Sequence, residues 1–561
     1  MFARVKKTGS YQYLQIVHNQ RVDGKVQQRV IATLGRLDVL QSSGDLDALL
    51  ESCARFAQHT AVLNALRKGD VTPAQSIRIG PALVFDRLWH DLGFPKIFQQ
   101  LLQKRRFEFS VERAVFLTVL HRLFVSGSDR ACEYWKQSYA IAGADDLELH
   151  QLYRAMAYLG DELPKEQQAN ATPFVPRCTK DLIEEALFQS RRDLFTGLDL
   201  VFFDTTSIYF EGQGGEKIGQ HGHSKDHRPD LKQMVVGVVL DGTGRPICCE
   251  LWPGNTTDVS TLIPMVDRLR TRFGIRSVCV VADRGMISQQ TMEKLKERGI
   301  QFILGARLRR VREIRQKVLS HTGRYHEVHG ARKQSKDPSP LKVKNVHIGE
   351  HRYVVCHNEE QARKDKADRE AIVEGLREKL HQGSKSLVGN KGYRKFLKAT
   401  REGAFQIDEA KIRSESRFDG KWVLQTDTDL SAADVALKYK DLLLVESLFR
   451  SMKSILETRP IYHKCDETIR GHVFCSFLAM VLLKELLGRI EATGNTVEWQ
   501  RLRDDLEDLH EVTVQTGTKS FVIRTSAKGD ATRAIQVAGV ALGRVVRCIS
   551  ETSASPELDA T

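Results

Sequence analysis

The run Leu200-Val-Phe-Phe-Asp204-Thr-Thr-Ser-Ile-Tyr-Phe210 is an apolar stretch interrupted by a single carboxylate. Its length and its aromatic and β-branched residues predict a buried strand. Two further strands are expected directly after it, from Met234 to Leu240 and from Pro246 to Trp252, with a turn at Asp241-Gly242. The pattern therefore predicts a meander of three strands in which Asp204 is placed near the end of the first.

After this meander, helical and strand-like patterns alternate. Thr257 is suited to cap a helix that runs to about Phe273, and a fourth strand is expected at 277–282. A helix from Ser288 to Arg298 then leads to a strand from Phe302 to Gly305. A three-stranded meander followed by alternating helices and strands is the order of the RNase H-like fold. We therefore predict an α/β protein with an RNase H-like catalytic core.

The regions around this core differ in pattern. Alternating residues near the N-terminus and the turn signal Asp23-Gly24 predict a small β-hairpin unit, whereas later stripes such as the one that Ser110 can cap predict helices. The predicted segments are a β-hairpin unit (1–45), a helical N-terminal region expected to bind DNA (46–195), the first part of the core (196–306), an insertion domain (307–430), the last core helices (431–490) and a C-terminal region (491–561).

Composition narrows the class of protein. The net charge of +14 over 561 residues favours a polyanionic partner such as nucleic acid. The ten cysteines are scattered and form no Cys-x-x-Cys pair, which argues against a disulfide framework or a structural zinc site. The longest apolar run, Val473–Leu483, is too short to cross a bilayer and predicts a buried helix. With no apolar signal core at the N-terminus, we expect no membrane association and a cytoplasmic location.

Two carboxylates are placed alike in the predicted sheet. Asp204 lies in the first strand, and Asp283 directly follows the fourth, with Arg284-Gly285 after it. Two carboxylates on neighbouring strands repel each other when both are ionised, and a divalent cation removes that cost. Oxygen ligands of this kind suit Mg²⁺ or Mn²⁺. A role in a turn or a helix cap is the alternative for either aspartate alone.

A third carboxylate, Glu446, belongs to a helical pattern. Tyr439, Glu446 and Lys453 are seven residues apart, so one continuous helix would present them on one face. A carboxylate between a phenol and an ammonium suits a site for metal and phosphate. An ordinary solvated helix face is the alternative interpretation of this spacing.

The insertion opens with a strongly basic stretch. Residues 307–344 contain twelve Lys or Arg against three acids. We expect this stretch, and Arg309, Arg310 and Arg312 in particular, to contact the DNA backbone. A solvated loop is the alternative.

Several phrases together resemble the DDE transposases of bacterial insertion sequences, in the IS-four-like group that carries a Tyr-Arg-Glu-Lys signature. The resemblance covers about residues 149–486, and the joint order of the phrases is more specific than any of them alone. The phrases are Asp204-Thr-Thr, Ala282-Asp-Arg-Gly-Met286, the spaced Tyr439, Glu446 and Lys453, Gly222-His-Ser-Lys-Asp-His-Arg-Pro-Asp230, Gly254-Asn-Thr-Thr-Asp258, and Phe449-Arg-Ser-Met-Lys453 with Arg459-Pro-Ile-Tyr-His463.

The resemblance assigns roles to these positions. It implies that Asp204, Asp283 and Glu446 bind two Mg²⁺ or Mn²⁺ ions, and that Tyr439 and Lys453 lie near DNA phosphates. The signature arginine is Leu442 in this chain, so Lys440 or Arg450 is expected to replace it.

The implied partners are double-stranded DNA, as terminal inverted repeats and as target, and a second copy of the chain in the active complex. The implied reaction is cleavage at the element end followed by strand transfer to target DNA. An RNase H-fold nuclease without strand transfer and a catalytically inactive DNA-binding derivative remain as alternatives.

Overall fold

The computed structural model describes residues 1–22, 25–46, 48–49, 72–168, 171, 175–191, 200–275, 278–334, 337–381, 395–399, 405–454, 458, 461–516 and 519–551. Two predicted features lie outside these residues, the turn at Asp23-Gly24 and the Arg459-Pro460 pair. The helices are α1 (Leu37–Ser42), α2 (Gly80–Asp91), α3 (Phe94–Leu102), α4 (Val111–Phe124), α5 (Asp129–Trp135), α6 (Leu149–Gly160), α7 (Thr179–Arg191), α8 (Asp258–Phe273), α9 (Gln289–Glu297), α10 (Glu359–His381), α11 (Glu409–Ser416), α12 (Ala432–Lys440), α13 (Leu443–Ser454), α14 (Asp466–Glu491), α15 (Trp499–Glu507) and α16 (Gly529–Val537).

The strands fall into four sheets within the described residues. They are β1 (Phe2–Thr8), β2 (Tyr11–Val22), β3 (Lys25–Arg36), β4 (Thr72–Arg78), β5 (Leu200–Tyr209), β6 (Gln233–Asp241), β7 (Pro246–Pro253), β8 (Cys279–Ala282), β9 (Gln301–Gly305), β10 (His326–His329), β11 (Leu341–Ile348), β12 (His351–His357), β13 (Leu397–Ala399), β14 (Phe405–Ile407), β15 (Lys421–Thr426), β16 (His510–Thr516), β17 (Lys519–Arg524) and β18 (Val546–Glu551).

A mixed sheet of nine strands forms the centre of the larger part of the chain. Its order is β10-β11-β12-β15-β9-β8-β5-β6-β7. The antiparallel meander β5-β6-β7 confirms the predicted one, and β8 and β9 run parallel to β5. Parallel neighbours need a crossover, which α8 and α9 supply. The protein is thus a mixed α/β protein, and the predicted order of helices and strands after the meander is confirmed.

Strands from the segment 307–430 extend this sheet. β15 pairs antiparallel with β9 through Leu424↔Gly305, Gln425↔Leu304 and Thr426↔Ile303. Beyond β15 the strands β12, β11 and β10 continue in antiparallel pairing. The same segment also contains the 23-residue helix α10. The backbone hydrogen bonds therefore run without interruption from the meander into this segment.

The two faces of the sheet are covered by different helices. Successive side chains of a strand alternate between faces, so Phe202 and Ile208 pack in a core with α13 and α14, whereas Val201 and Phe203 pack with α8 and α9. The stretch Val473–Leu483 in α14 is fully buried, which confirms the predicted buried helix. In the part of the chain that the structure describes, no helix has the length and hydropathy to cross a membrane.

Side chains of α7 complete the hydrogen bonding of the edge strand β7. Glu184 accepts a hydrogen bond from the Cys249 amide at 2.9 Å, and Lys180 donates to the Cys249 carbonyl at 2.7 Å. Arg272 of α8 contacts Glu184 at 2.5 Å and Glu250 of β7 at 2.7 Å. A fully buried ionic cluster therefore covers the edge of the sheet, which would otherwise offer unpaired backbone groups.

The N-terminus forms a three-stranded antiparallel sheet, β1-β2-β3, in which β2 and β3 pair as a hairpin from Val22↔Lys25 onward and β1 adds a strand that the sequence pattern did not predict. A third strand completes the antiparallel pairing on the free side of β2. The described residues of 1–76, 511–526 and 543–561 form one compact unit, which also contains most of the sheet β18-β17-β16-β4. Residues 77–510 and 527–542 form the other unit, which contains the nine-stranded sheet.

Helix starts follow the predicted capping residues in part. Ser110 caps α4 as predicted, because its hydroxyl accepts a hydrogen bond from the Arg113 amide. Thr257 precedes α8 as predicted, but its side chain caps no helix amide and instead donates to the Ser260 hydroxyl at 3.2 Å.

Candidate active site

Asp204 and Asp283 lie side by side on adjacent parallel strands. The last paired residues of β5 and β8 are Phe203 and Ala282, and the two aspartates follow them directly. In both strands the alternation of faces turns the aspartate toward the side that α13 covers. Asp204 is not at the end of its strand, since β5 continues to Tyr209 beside β6. It lies instead where the pairing with β8 stops, because β8 is only four residues long.

The surroundings of Asp204 disfavour its ionised form. Burial raises the pKa of Asp204 to about 7, and the carboxylates of Asp283 and Asp258 act in the same direction. Lys225 and the Thr205 amide, which donates to Asp204 Oδ1 at 2.7 Å, oppose this rise without cancelling it. Three carboxylates thus lie close enough to interact, and the nearby Lys225 ammonium offsets their effect only in part.

Tyr439 joins this group from α12. Its hydroxyl donates a hydrogen bond to Asp283 Oδ1 at 3.0 Å. Burial raises the pKa of Tyr439, and the Asp283 carboxylate adds to the effect, so the phenol stays protonated and keeps donating. Gly305 at the end of β9 makes room for this contact, since a Cβ there would lie 2.3 Å from the Tyr439 hydroxyl oxygen.

The helix that was expected to carry Tyr439, Glu446 and Lys453 together is interrupted. α12 ends at Lys440 and α13 begins at Leu443, so Tyr439 and Glu446 belong to different helices and the prediction of one continuous face was wrong. Leu442 lies at the break with 4% of its surface exposed, and its amide donates to the Tyr439 carbonyl. Packing of Leu442 into the core thus turns the chain between the two helices.

Glu446 lies in the first turn of α13 and is exposed to solvent. The apolar residues Val445, Leu448 and Phe449 bury the other side of this helix against the face of β5 that bears Asp204. Among the described residues, Asp204, Asp283 and Glu446 do not place three ligand atoms within 4.8 Å of one another. The structure therefore brings Asp204, Asp283 and Tyr439 together, with Glu446 on the helix that covers them.

Lys453 forms an internal ion pair. Its ammonium lies 2.8 Å from Asp226 Oδ1, and the two side chains are only 15% and 8% exposed. Of the residues expected to replace the signature arginine, Arg450 is exposed on α13. Lys440 is partly buried near Cys356 of β12, and this burial lowers its pKa. Asp226, which lies in one of the phrases of the resemblance, was not among the predicted site residues.

The loop 222–230 connects the two sides of the site. The Ser224 hydroxyl accepts hydrogen bonds from the amides of Asp226 and Arg228, and the Lys225 amide donates to Ser207 of β5 at 2.7 Å. Neighbouring residues of this tight turn diverge. Asp226 reaches α13, whereas the Lys225 ammonium lies 2.7 Å from the Thr205 carbonyl and 3.2 Å from Asp258 Oδ2.

Asp258 was also missed by sequence reasoning. It is the first residue of α8, and its carboxylate accepts a hydrogen bond from the Thr205 hydroxyl at 2.7 Å. The only available signal for Lys225, Asp226 and Asp258 was their place in two phrases of the resemblance, which by themselves give no contact.

The basic stretch 307–344 serves more than one purpose. Arg309 is paired with Glu415 at 2.9 Å and stacks over Phe418. Arg312 donates to Gln316 at 2.9 Å, and Lys344 is buried and donates to the His321 carbonyl. Arg310 is exposed. The excess of positive charge in the sequence therefore overstates the charge available to a partner.

A second cluster of potential metal ligands lies elsewhere. Asp129, His463 and His472 place ligand atoms within 4.8 Å of one another, the one such group among the described residues. However, Arg122 lies 2.9 Å from His472 Nδ1 and 4.0 Å from Asp129. A guanidinium that occupies the ligand atoms in this way does not fit a cation site, so this cluster is structural.

Comparisons with known proteins agree with this arrangement. The IS1634 family transposase N-terminal domain matches residues 3–64, and the transposase DDE domain matches residues 196–482. No curated protein sequence shows a significant match.

Two solved structures are similar in fold only loosely. A piggyBac transposase synaptic complex with hairpin DNA is 11% identical with a TM-score of 0.37, over 76% of this chain and 79% of that one. A Drosophila P element transposase strand transfer complex is 14% identical with a TM-score of 0.20, over 38% and 42% of the two chains. These likenesses are too distant to carry an argument. The DDE domain, in contrast, spans just over half of the 561 residues and contains Asp204, Asp283 and Glu446. The chain therefore belongs to the DDE transposases.

Proposed function

We propose that this transposase mobilises a bacterial insertion sequence, by cutting phosphodiester bonds at the element ends and joining those ends to target DNA. The observation that carries the proposal is the placement of Asp204 and Asp283 side by side where β8 ends. The strand order β7-β6-β5-β8-β9 supports an RNase H-like core, and Tyr439, Glu446 and Lys453 support the group with the Tyr-Arg-Glu-Lys signature. Because the proposed partner is bacterial DNA, we expect the protein to act in the cytoplasm and to associate with the nucleoid when it binds DNA.

The carboxylates fit a site for divalent cations. Asp204 and Asp283 offer hard oxygen ligands, and the raised pKa of Asp204 reflects the cost of crowding negative charge without a counter-ion. Asp204, Asp283 and Glu446 would hold Mg²⁺ or Mn²⁺, with two ions expected. When bound, such ions activate the attacking oxygen and stabilise the leaving oxygen of an in-line displacement.

The remaining residues orient the carboxylates and the DNA. Tyr439 holds one oxygen of Asp283 by its hydrogen bond, so that the other oxygen keeps a fixed direction. In the first step water attacks the phosphodiester at the element end and the 3′-oxygen leaves. In the second step the freed 3′-hydroxyl attacks a target phosphodiester and the 3′-oxygen of the target strand leaves, so no covalent bond between protein and DNA is needed.

The proposed DNA contacts are positively charged or phenolic side chains around this centre. They are Tyr439, Lys453, Arg450, Arg309, Arg310 and Arg312. Since each neutralised phosphate releases counter-ions, binding to an uncut duplex, which carries flanking DNA beside the element end, should weaken steeply with salt. Replacing Arg309, Arg310 and Arg312 together with Ala should flatten that dependence. An unchanged salt slope would exclude all three as phosphate contacts. Synapsis of two ends requires a second copy, so we propose a homodimer as the active complex.

The decisive test compares Asp204→Asn with Lys453→Ala. Asp204→Asn keeps the size of the side chain but removes a metal ligand, so it should bind a labelled element-end duplex normally and neither nick nor join it. Lys453→Ala should weaken end binding by roughly tenfold, the effect of one charged hydrogen bond, and retain some cleavage. Gel shift measures binding, and 3′-end labelling with Mg²⁺ measures cleavage. Wild-type cleavage by Asp204→Asn would refute the mechanism.

The same assay separates the alternative functions. A nuclease without strand transfer would cut the labelled end but leave target DNA unjoined. A catalytically inactive DNA-binding derivative would bind the end and do neither. The shared side of the sheet that Asp204, Asp283 and α13 occupy favours an active enzyme over the derivative.

A further inference from the structure

A cleft of about 790 Å³ opens next to the paired aspartates. It lies beyond the ends of β8 and β9, on the side of the sheet where α8 begins. Its walls come from β5, the loop 222–230, the start of α8, Arg284-Gly285 and residues 307–310. Thr206 is two residues from Asp204, and Arg284 directly follows Asp283. Lys225 and Asp258 line the cleft and also act on the Asp204 carboxylate, so the cleft adjoins the site proposed above.

Positive side chains dominate the lining of this cleft. Lys225, Arg284, Arg307, Arg309 and Arg310 face a single carboxylate, Asp258. Several of these cations are already engaged. Lys225 pairs with Asp258, Arg309 with Glu415, and Arg307 donates to the carbonyls of Arg284 and Gly285.

Two arginines of the cleft remain available to a ligand. The side chains of Arg284 and Arg310 are exposed and form no ion pair or side-chain hydrogen bond with the described residues. A planar guanidinium binds phosphate oxygens through two parallel hydrogen bonds, which suits it to a sugar-phosphate backbone. The lining contains no Phe, Tyr or Trp on which a base could stack. The cleft therefore fits a nucleic-acid backbone whose base sequence is not read.

The lining of the cleft includes neither of the predicted contacts Tyr439 and Lys453. Tyr439 and Lys453 approach from α12 and α13, whereas the cleft opens toward the start of α8. We propose that the cleft binds the DNA backbone outside the element end, namely the flanking DNA before cleavage and the target DNA during joining. This inference rests on the proposed function and adds to it the path of the second DNA segment.

The test separates the two DNA segments by substrate. A pre-cleaved element-end duplex ends at its 3′-hydroxyl and has no flank, whereas an uncut duplex carries flanking DNA. The variant Arg284→Ala/Arg310→Ala removes the two available cations. Lys296→Ala is the matched control, because it removes a positive charge far from the cleft. Lys296 lies on α9 close to Asp427, and Asp427 accepts a hydrogen bond from the Phe302 amide at the start of β9, whereas the cleft lies beyond the end of β9.

The double variant should bind the pre-cleaved end with wild-type affinity, which also shows that it is folded. Its joining of that end to target plasmid, and its cleavage of the flanked duplex, should each fall by about a hundredfold, roughly tenfold per lost phosphate contact. Arg310→Lys should retain part of the joining activity that Arg310→Ala loses, since the positive charge remains. Lys296→Ala should match the wild type in all three assays.

Other results would overturn the inference. Equal loss of binding to the pre-cleaved end would assign the cleft to the element end, and unchanged joining would show that no DNA passes through it. A base preference in target sites that changes with Arg310→Ala would contradict backbone binding. If the wild-type protein itself neither bound nor joined DNA, the proposed function would fail first, and that result is distinct from any pattern among the variants.

Discussion

Two regions of this transposase concentrate charge, and they treat it in opposite ways. At the edge of the sheet, Lys180, Arg268 and Arg272 face Asp181, Glu184 and Glu250, and all six side chains are at most 7% exposed. At the centre of the sheet, Asp204, Asp283 and Asp258 share the single ammonium of Lys225, while Arg284 and Arg310 extend into the cleft. The first region balances its charges within the fold, and the second leaves them unbalanced.

The difference separates charge that maintains the fold from charge that awaits a ligand. A buried ion that has lost its partner costs several kcal/mol, so a fully paired cluster is expected to stabilise only as a unit. Crowded, buried carboxylates lower stability until a cation binds. Exposed arginines are hydrated, so they cost the fold little and remain available to an anion. If the two regions differ in this way, substitutions at the edge of the sheet and at its centre should change stability in opposite directions.

Arg272→Ala should have the largest effect on stability. It leaves Glu184 and Glu250 buried without their shared guanidinium, which should lower the free energy of unfolding by about 3–5 kcal/mol. Arg270→Ala, two residues earlier in α8 and bonded only to the Arg298 carbonyl, is the control and should cost less than about 1 kcal/mol. Chemical denaturation measures both. Equal losses in the two variants would mean that the buried ionic cluster contributes no more to stability than an ordinary surface hydrogen bond.

Asp204→Asn should raise the stability of the protein when divalent cations are absent. Because the folded pKa of Asp204 is about 7 and its ordinary value is 3.8, the ionised carboxylate destabilises the fold as pH rises through that interval. The variant should therefore be more stable than the wild type at pH 8, by about 2 kcal/mol after allowance for partial solvent exposure, with the advantage vanishing toward pH 4. Denaturation curves at both pH values test this, and a destabilised variant at pH 8 would contradict it.

Mg²⁺ should stabilise the wild type and leave Asp204→Asn unaffected. At about ten times its Kd, a ligand that binds only the folded protein adds about 1.4 kcal/mol to the free energy of unfolding. Arg270→Ala should respond like the wild type, since it leaves the carboxylates intact. A calorimetric titration gives the Kd, and thermal unfolding with Mg²⁺ or with a chelator gives the shift. An equal shift in Asp204→Asn would place the cation elsewhere.

Asp226→Asn should have the smallest effect, and that effect is on the binding of DNA. It tests whether the pair of Asp226 and Lys453 belongs with the edge cluster or with the central region. The pair of Lys453 and Asp226 is nearly buried like the edge cluster, yet Lys453 is a proposed phosphate contact. If the pair resembles the central region, removing the charge of Asp226 should tighten binding of the element end about threefold, or about 0.7 kcal/mol. Asp230→Asn, in the same loop but paired with Arg228 at the surface, is the control. Weaker binding by Asp226→Asn would instead make Asp226 the residue that positions Lys453.

Local pattern was enough to predict the core of the fold. An apolar run around Asp204 and another before Asp283 predicted two buried strands, because burial on both faces leaves a continuous apolar stretch. That these strands are neighbours followed from the order of elements. The buried helix around Val473–Leu483 was equally visible, since its apolar residues are contiguous.

Contacts between distant residues were not predictable in this way. Asp226 and Lys453 are 227 residues apart, and Arg309 and Glu415 are 106 apart. No periodicity links such positions. Lys453 and Arg309 were therefore expected to be available to DNA, although each has an acidic partner in the structure. The break between Tyr439 and Glu446 was missed because Leu442 fits a helical stripe as well as it fits the turn that it forms.

The nine-stranded sheet has a mechanical consequence at one of its seams. Most neighbouring strands of this sheet share four or more registered pairs, whereas β9 and β15, like the outermost pair β10 and β11, share three. The hydrogen bond from the Phe302 amide to Asp427 supplements the pairing of β9 with β15. A force on the strands β11 and β12 would therefore be transmitted through β15 to β9, β8 and β5 until the pairing of β9 with β15 breaks. Because Gly305 lies in the seam and also admits the Tyr439 hydroxyl, a yielding seam would displace the phenol from Asp283. Strain applied to β11 or β12 would thus reach the hydrogen bond that orients Asp283, a carboxylate of the proposed metal site.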